Sequence, residues 1–269
     1  MLNLYRNPLR ALQLSLPVLA FPALVNAQTV KKLRPLSPDR PHQTESPYTT
    51  DKGHFQVEAD LLNFERQHVN DSLDLQGTGI FFFNAKFGIT KNSDVELLTG
   101  TVQLDHYPGS DIPNERTFFP DLLFRYKYNL LGNDSGKTAI ALMPTLRISN
   151  FVRDTFKVQA GQLLINAERE FEHFGLGYTG GLSNFTFQPF FTRCEFFSTV
   201  SLDYSLVGEL HHFVEVSYRY GRSNPVLHNY SFDSGFTFTP GENLQFDLGF
   251  YYFIPARQPF LFIGGTFRI

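Results

Sequence analysis

From Gly53 to Ile269 the chain repeats one pattern: apolar and polar residues alternate in runs of about ten, broken by clusters of Gly, Asn, Asp, Ser and Pro. Successive side chains of a strand point to opposite sides, so each run carries one apolar and one polar face. Phe55, Val57, Ala59 and Leu61 oppose Gln56, Glu58 and Asp60. Leu122, Phe124, Tyr126 and Tyr128 oppose Asp121, Arg125, Lys127 and Asn129, and Leu244, Phe246, Leu248, Phe250 and Tyr252 oppose Gln245, Asp247 and Gly249. Runs near 54–65, 79–89, 94–105, 118–129, 138–149, 160–171, 174–183, 193–204, 211–220, 229–238, 244–252 and 259–269 predict about twelve strands.

The connections carry a second regularity. Short turns such as 90–93, 131–136, 171–174, 205–208 and 239–243 alternate with longer links at 66–78, 106–117, 150–159, 184–192, 221–228 and 253–258. Short periplasmic turns and longer external loops are the arrangement of an up-and-down antiparallel transmembrane β-barrel, with both barrel ends on the periplasmic side. The closing segment Phe260-Leu-Phe-Ile-Gly-Gly-Thr-Phe-Arg-Ile269 fits a last barrel strand, ending on Ile269 with Phe267 two residues earlier. A soluble β-sandwich also alternates, but 30 Phe and 12 Tyr without any Trp is an aromatic load suited to membrane-interface girdles.

The first residues read as an address. Arg6 and Arg10 precede an apolar stretch, and Val25-Asn26-Ala27 forms a small-residue exit, so residues 1–27 are expected to be a signal peptide cleaved after Ala27. Pro17 and Pro22 interrupt a stretch shorter than the roughly 20 apolar residues a spanning helix needs. Losing Arg6 and Arg10 takes the formal charge from −3 to −5, and no basic cluster beyond Lys31-Lys32-Leu-Arg34 exists, which excludes nucleic acid as a partner. Outer-membrane lipid and the barrel-assembly machinery are the expected partners, with a small-molecule solute. Residues 28–52, with four prolines, form an extended lead-in that lies in the periplasm or enters the barrel as a partial plug around Asp39, Arg40, Glu45 and His54.

Four stretches carry a family resemblance: Arg40–Glu58, Arg125–Asp134, Gly136–Pro144 and Gln258–Phe267. They resemble, in order, the bacterial outer-membrane family described as the MetA-pathway phenol-degradation or transporter family. The resemblance implies an outer-membrane barrel that carries small, aromatic or hydrophobic molecules, and it brings no catalytic residues.

For a channel, the inward residues matter. The alternation places Glu58, Asp60, Arg125, Lys127, Arg147, Glu168, Glu170, Arg193, Glu195, Glu215, Arg219, Asp233, Asp247 and Arg268 on the polar face. Such a set either selects solutes by charge and size or merely neutralises itself in a crowded lumen. Two other function classes stay open: a structural or adhesive surface barrel acting through loops 66–78 and 105–117, and a barrel-type lipid hydrolase. His211 and Ser217 share a strand face but are separated by about 20 Å, and no Gly-x-Ser-x-Gly elbow occurs. His211 and His212 point apart and Cys194 stands alone, so no metal or cofactor site is expected.

Overall fold

The computed structural model describes residues 33–70, 73–119, 121–149, 157–186, 194–221 and 227–269. The leader, its exit at Ala27 and Arg193 lie outside the described residues. Among the described residues thirteen strands follow one another: β1 (Phe55–Asn70), β2 (Leu73–Thr90), β3 (Ser93–His106), β4 (Glu115–Phe118), β5 (Asp121–Leu131), β6 (Thr138–Ser149), β7 (Lys157–Glu170), β8 (Gly175–Thr186), β9 (Glu195–Val207), β10 (Leu210–Gly221), β11 (Leu227–Gly241), β12 (Leu244–Phe253) and β13 (Gln258–Arg268). All neighbours pair antiparallel, β1 meets β13, and the sheet closes on itself. β4 and β5 are two pieces of a single stave. β4 pairs with Val102–Asp105 of β3 and β5 with Ser93–Thr99, so the closed ring has twelve staves.

Closure follows from the solvent. In hydrocarbon no water can satisfy an exposed strand edge, so a ladder that runs all the way round is one of the two spanning solutions available to a polypeptide. The faces obey the alternation: Phe124, Tyr126, Tyr128, Phe246, Leu248 and Phe250 stand outward, while Arg125, Lys127, Gln245 and Asp247 are buried inside. Turns at 91–92, 132–137, 171–174, 208–209 and 242–243 define one end, and connections such as 107–114 and 254–257 define the other. The first is the periplasmic end by the barrel rule.

One irregularity changes which side chains enter the lumen. Leu61 forms a bulge against β13, Phe81 (φ 52°) and Phe119 (φ 49°) adopt left-handed backbone, and the Thr101 hydroxyl donates to the Phe81 carbonyl at 2.9 Å while the Phe119 N–H donates to the Thr101 carbonyl at 3.2 Å. These four positions form a row across β1, β2, β3 and the β4–β5 junction. An extra residue flips the strand's facing set. Below the row Glu58 and Lys86 are inside; above it Asn63, Gly77 and Gly79 are. The strands also run further than the alternation suggests. Residues 66–70 and 73–78 are strand, so 66–78 is not a long external loop, and the external connection after β3 shrinks to 107–114.

Candidate functional site

The lumen is occupied by the chain's own lead-in. Residues 34–52 touch inward residues on strands all around the ring, which only a segment inside the barrel can do. Both ends of this segment sit at the periplasmic mouth: Arg34 pairs with Asp51 at 2.8 Å and donates to the Lys91 carbonyl at 3.3 Å, Thr49 N–H donates to Asn133 at 3.0 Å, and Arg268 reaches Asp51 at 3.3 Å. Its apex, residues 39–45, stands in mid-lumen. The returning limb presses on Gly88, where Gly53 N–H donates to the Gly88 carbonyl at 2.8 Å; a Cβ at Gly88 would collide with the Asp51 carbonyl oxygen.

The apex is clamped by charge on two sides. Toward β2, β3 and β5, the Asp39 carboxylate takes the ammonium groups of Lys127 at 2.6 Å and Lys86, while Glu58 pairs with Lys86 and accepts the backbone N–H groups of Asp39 (3.0 Å) and Arg40 (3.2 Å). Glu96 lies 3.2 Å from Lys127, and Arg125 pairs with Glu45 at 2.8 Å. Burial alone would push the Asp39 carboxyl up, but the Lys127 and Lys86 ammonium groups outweigh it and hold it far below the ordinary carboxylate value. A depressed carboxyl keeps its contribution at every pH above the ordinary carboxylate range and loses it only in strong acid.

On the other side, Arg40 joins Asp60 and Asp247, Gln43 N–H donates to Glu215 at 2.8 Å, and the Thr44 hydroxyl donates to Glu215 at 2.6 Å and lies 2.7 Å from the Thr199 hydroxyl. His42 stands 2.7 Å from Asp203, with Phe213 edge-on to its ring. Burial would lower the imidazole, but the Asp203 carboxylate prevails and raises it to about 9. Above the apex, on the external side, a cavity of about 490 Å³ has Asp39, Arg40, His42 and Glu45 in its floor and Asp60, Asn84, Gln103, Leu123 and Arg147 in its walls.

The residues singled out from the sequence thus separate into groups. Glu58, Arg125 and Lys127 belong to the Asp39 clamp, Asp60 to the Arg40 seat and Glu215 to the Gln43–Thr44 contact. Arg147 pairs with Asp121 at 3.2 Å on the cavity wall, Arg219 lies 3.9 Å from Glu195 and over the Phe197 ring, and Glu168 faces His42 electrostatically. His54 stays outside this network, its ring contacting the Lys52 carbonyl at 3.3 Å. Lys86, Asp94 and Glu96 were missed although they follow the alternation of Phe83-Asn84-Ala85-Lys86 and Asp94-Val95-Glu96. His42 and Asp203 carry no local signal, because only the tertiary path brings them together.

Solved structures with this fold are bacterial outer-membrane barrels. The COG4313 outer membrane channel from Pseudomonas putida F1 superposes with a TM-score of 0.54 at 12% identity, covering 85% of this chain and 99% of that one. The translocator domain of the autotransporter NalP from Neisseria meningitidis gives 0.51 at 8% identity, covering 82% and 90%. No curated protein matches the chain. The matched family begins at residue 38, one residue before the Asp39 clamp, and runs to the last residue of the barrel. With residues 38–269 matched, the chain belongs to the family described as "Putative MetA-pathway of phenol degradation".

Proposed function

We propose that this protein is an outer-membrane channel for small molecules whose closed state is set by residues 34–52. The observation that carries the reading is the chemistry of the plug's attachment. A lumen filled only for stability can be packed by side chains from its own wall, as the interiors of small barrels are. Here a separate segment fills it through ion pairs and hydrogen bonds, all of which water can replace once the segment moves. Both limbs leave by the periplasmic mouth, so the apex can withdraw without threading the ring. An external cavity already reaches down to it.

Export by a leader ending at Ala27, insertion by the assembly machinery into outer-membrane lipid, and the absence of a catalytic role complete this reading. Against a lipid hydrolase, the Ser217 hydroxyl is spent on the Ser231 hydroxyl at 2.7 Å. Against adhesion, residues 66–70 and 73–78 are strand. Stacking of Tyr251 on Phe260 and Phe262 along the lumen wall suits a flat organic solute. Planar-bilayer recording tests the function: discrete conductance steps, altered by one solute class, are expected, and a folded barrel that conducts nothing under any solute would sink the channel reading.

The His42 contact adds a pH dependence. A group raised from its ordinary value of 6.5 to about 9 contributes fully below about 6.5 and is lost as pH climbs through 9. Open probability is therefore expected to rise between about pH 6.5 and 9 and to lose that rise in His42→Asn. Equal pH profiles for the two proteins would remove His42 from the latch.

A further inference from the structure

The Arg40 guanidinium occupies a site with more structure than a tether requires. Its Nη2 meets the Asp247 carboxylate, which has no exposed surface, its Nε lies 3.3 Å from the other Asp247 oxygen, and its Nη1 meets Asp60. The guanidinium carbon lies 5.5 Å from the centroid of the Phe262 ring, which stacks on Tyr251. Gly264 forms the back wall: a Cβ there would collide with the Ala59 carbonyl oxygen of the neighbouring strand and with Nη2, so the missing side chain leaves the guanidinium room to lie against the wall. Two carboxylates and an aromatic face converging on one point are the elements of an organic-cation site.

Two further observations point to a ligand. Arg40 and Asp60 both border the external cavity, so a molecule entering from outside meets this pair at its floor. The neighbouring wall holds a further buried carboxyl group: Asp233 accepts the Gln43 side-chain amide through Oδ2, and its Oδ1 has no hydrogen-bond partner.

We propose that the Arg40 seat is a recognition site for organic cations. A solute with an amidinium, guanidinium or primary ammonium group beside a flat apolar body enters the cavity, competes with Arg40 for Asp60 and Asp247, and lays its body against Phe262. Arg40 is the tethered occupant of the site, so the same contact that recognises the solute releases the apex. Passage of that solute rests on the channel reading above; its binding does not.

The test is calorimetric titration of the folded full chain in detergent with benzamidine, and with benzamide as its neutral near-isostere. Arg40→Ala vacates the seat, so benzamidine is expected to bind that variant at least tenfold more tightly than the natural chain, and at least tenfold more tightly than benzamide does. Adding Asp247→Asn is expected to erase the preference. Equal binding of the two compounds to Arg40→Ala, or an undiminished preference after Asp247→Asn, overturns the proposal. Should Arg40→Ala fail to fold, the natural chain and Asp247→Asn are compared instead: benzamidine preference in the former and its loss in the latter support the site, and equal affinities refute it. Because none of these titrations needs a current, a barrel that binds benzamidine but never conducts would reject the channel and keep the site.

Discussion

Deleting residues 34–50 is expected to turn a barrel that is closed most of the time into one that conducts continuously. The deletion removes the apex that fills mid-lumen and the limb as far as Thr50, while residues 51–53 against Gly88 and every strand of the closed ring stay intact. Groups buried against the plug, among them Lys86, Lys127, Glu58 and Glu215, then face water in place of protein. Water is an adequate substitute for a polar partner, since the net worth of a typical hydrogen bond is only about 0.5–1.5 kcal/mol. The barrel should thus fold and remain heat-modifiable, with a lower melting temperature but an open pore. Single-channel traces read the result: a larger, steady conductance without long closures. Traces matching those of the full chain would mean that the segment does not obstruct the path.

The second large effect is expected from Asp39→Asn. The substitution keeps the shape, and the amide oxygen it introduces can still accept the Ser46 N–H that Asp39 takes at 2.9 Å, while the amide nitrogen cannot accept from Lys86, so the charge and one acceptor are removed. Lys127 has no exposed side-chain surface and Lys86 almost none, and both lose their shared counter-ion. Removing one partner of a buried pair costs about 3–5 kcal/mol when nothing replaces it. Here Glu96 and Glu58 remain beside the two ammonium groups, which places the effect nearer about 3 kcal/mol. At about 1.4 kcal/mol per factor of ten, the ratio of open to closed time should rise on the order of a hundredfold. In the 34–50 deletion background no partner from the plug is present, so any conductance change seen on mutating Lys86 or Lys127 there reports the pore lining rather than the latch. Unchanged gating in Asp39→Asn would assign the clamp to barrel stability alone.

Much of this architecture is legible in the sequence because a membrane barrel enforces a strict two-residue period. Phe124, Tyr126 and Tyr128 against Arg125, Lys127 and Asn129 is a pattern that a bilayer outside and a polar lumen inside jointly require. The period fails at Leu61, Phe81, Thr101 and Phe119, where inserted or left-handed residues invert the faces, so the alternation ends near residue 65 although β1 continues to Asn70. No residue type announces a bulge there. The candidate site was half visible for a related reason. Wall charges such as Glu58, Arg125 and Glu215 sit at fixed parity in strands, whereas the path of the Pro-rich lead-in depends on long-range partners. Asp39 meets Lys86 and Lys127, and Thr44 meets Thr199, across separations that no local pattern encodes.

The central claim is that the apex must leave its seat for solute to pass, and a reversible covalent lock tests it most directly. Thr44 and Thr199 bring their hydroxyls within 2.7 Å, close enough for a cysteine pair at these positions to be joined with small adjustment. Made in a Cys194→Ser background, the Thr44→Cys/Thr199→Cys protein is expected to show no conductance steps when oxidised and to recover them on adding reductant during the same recording. Identical conductance before and after reduction, with the disulfide verified by mass, would contradict the account.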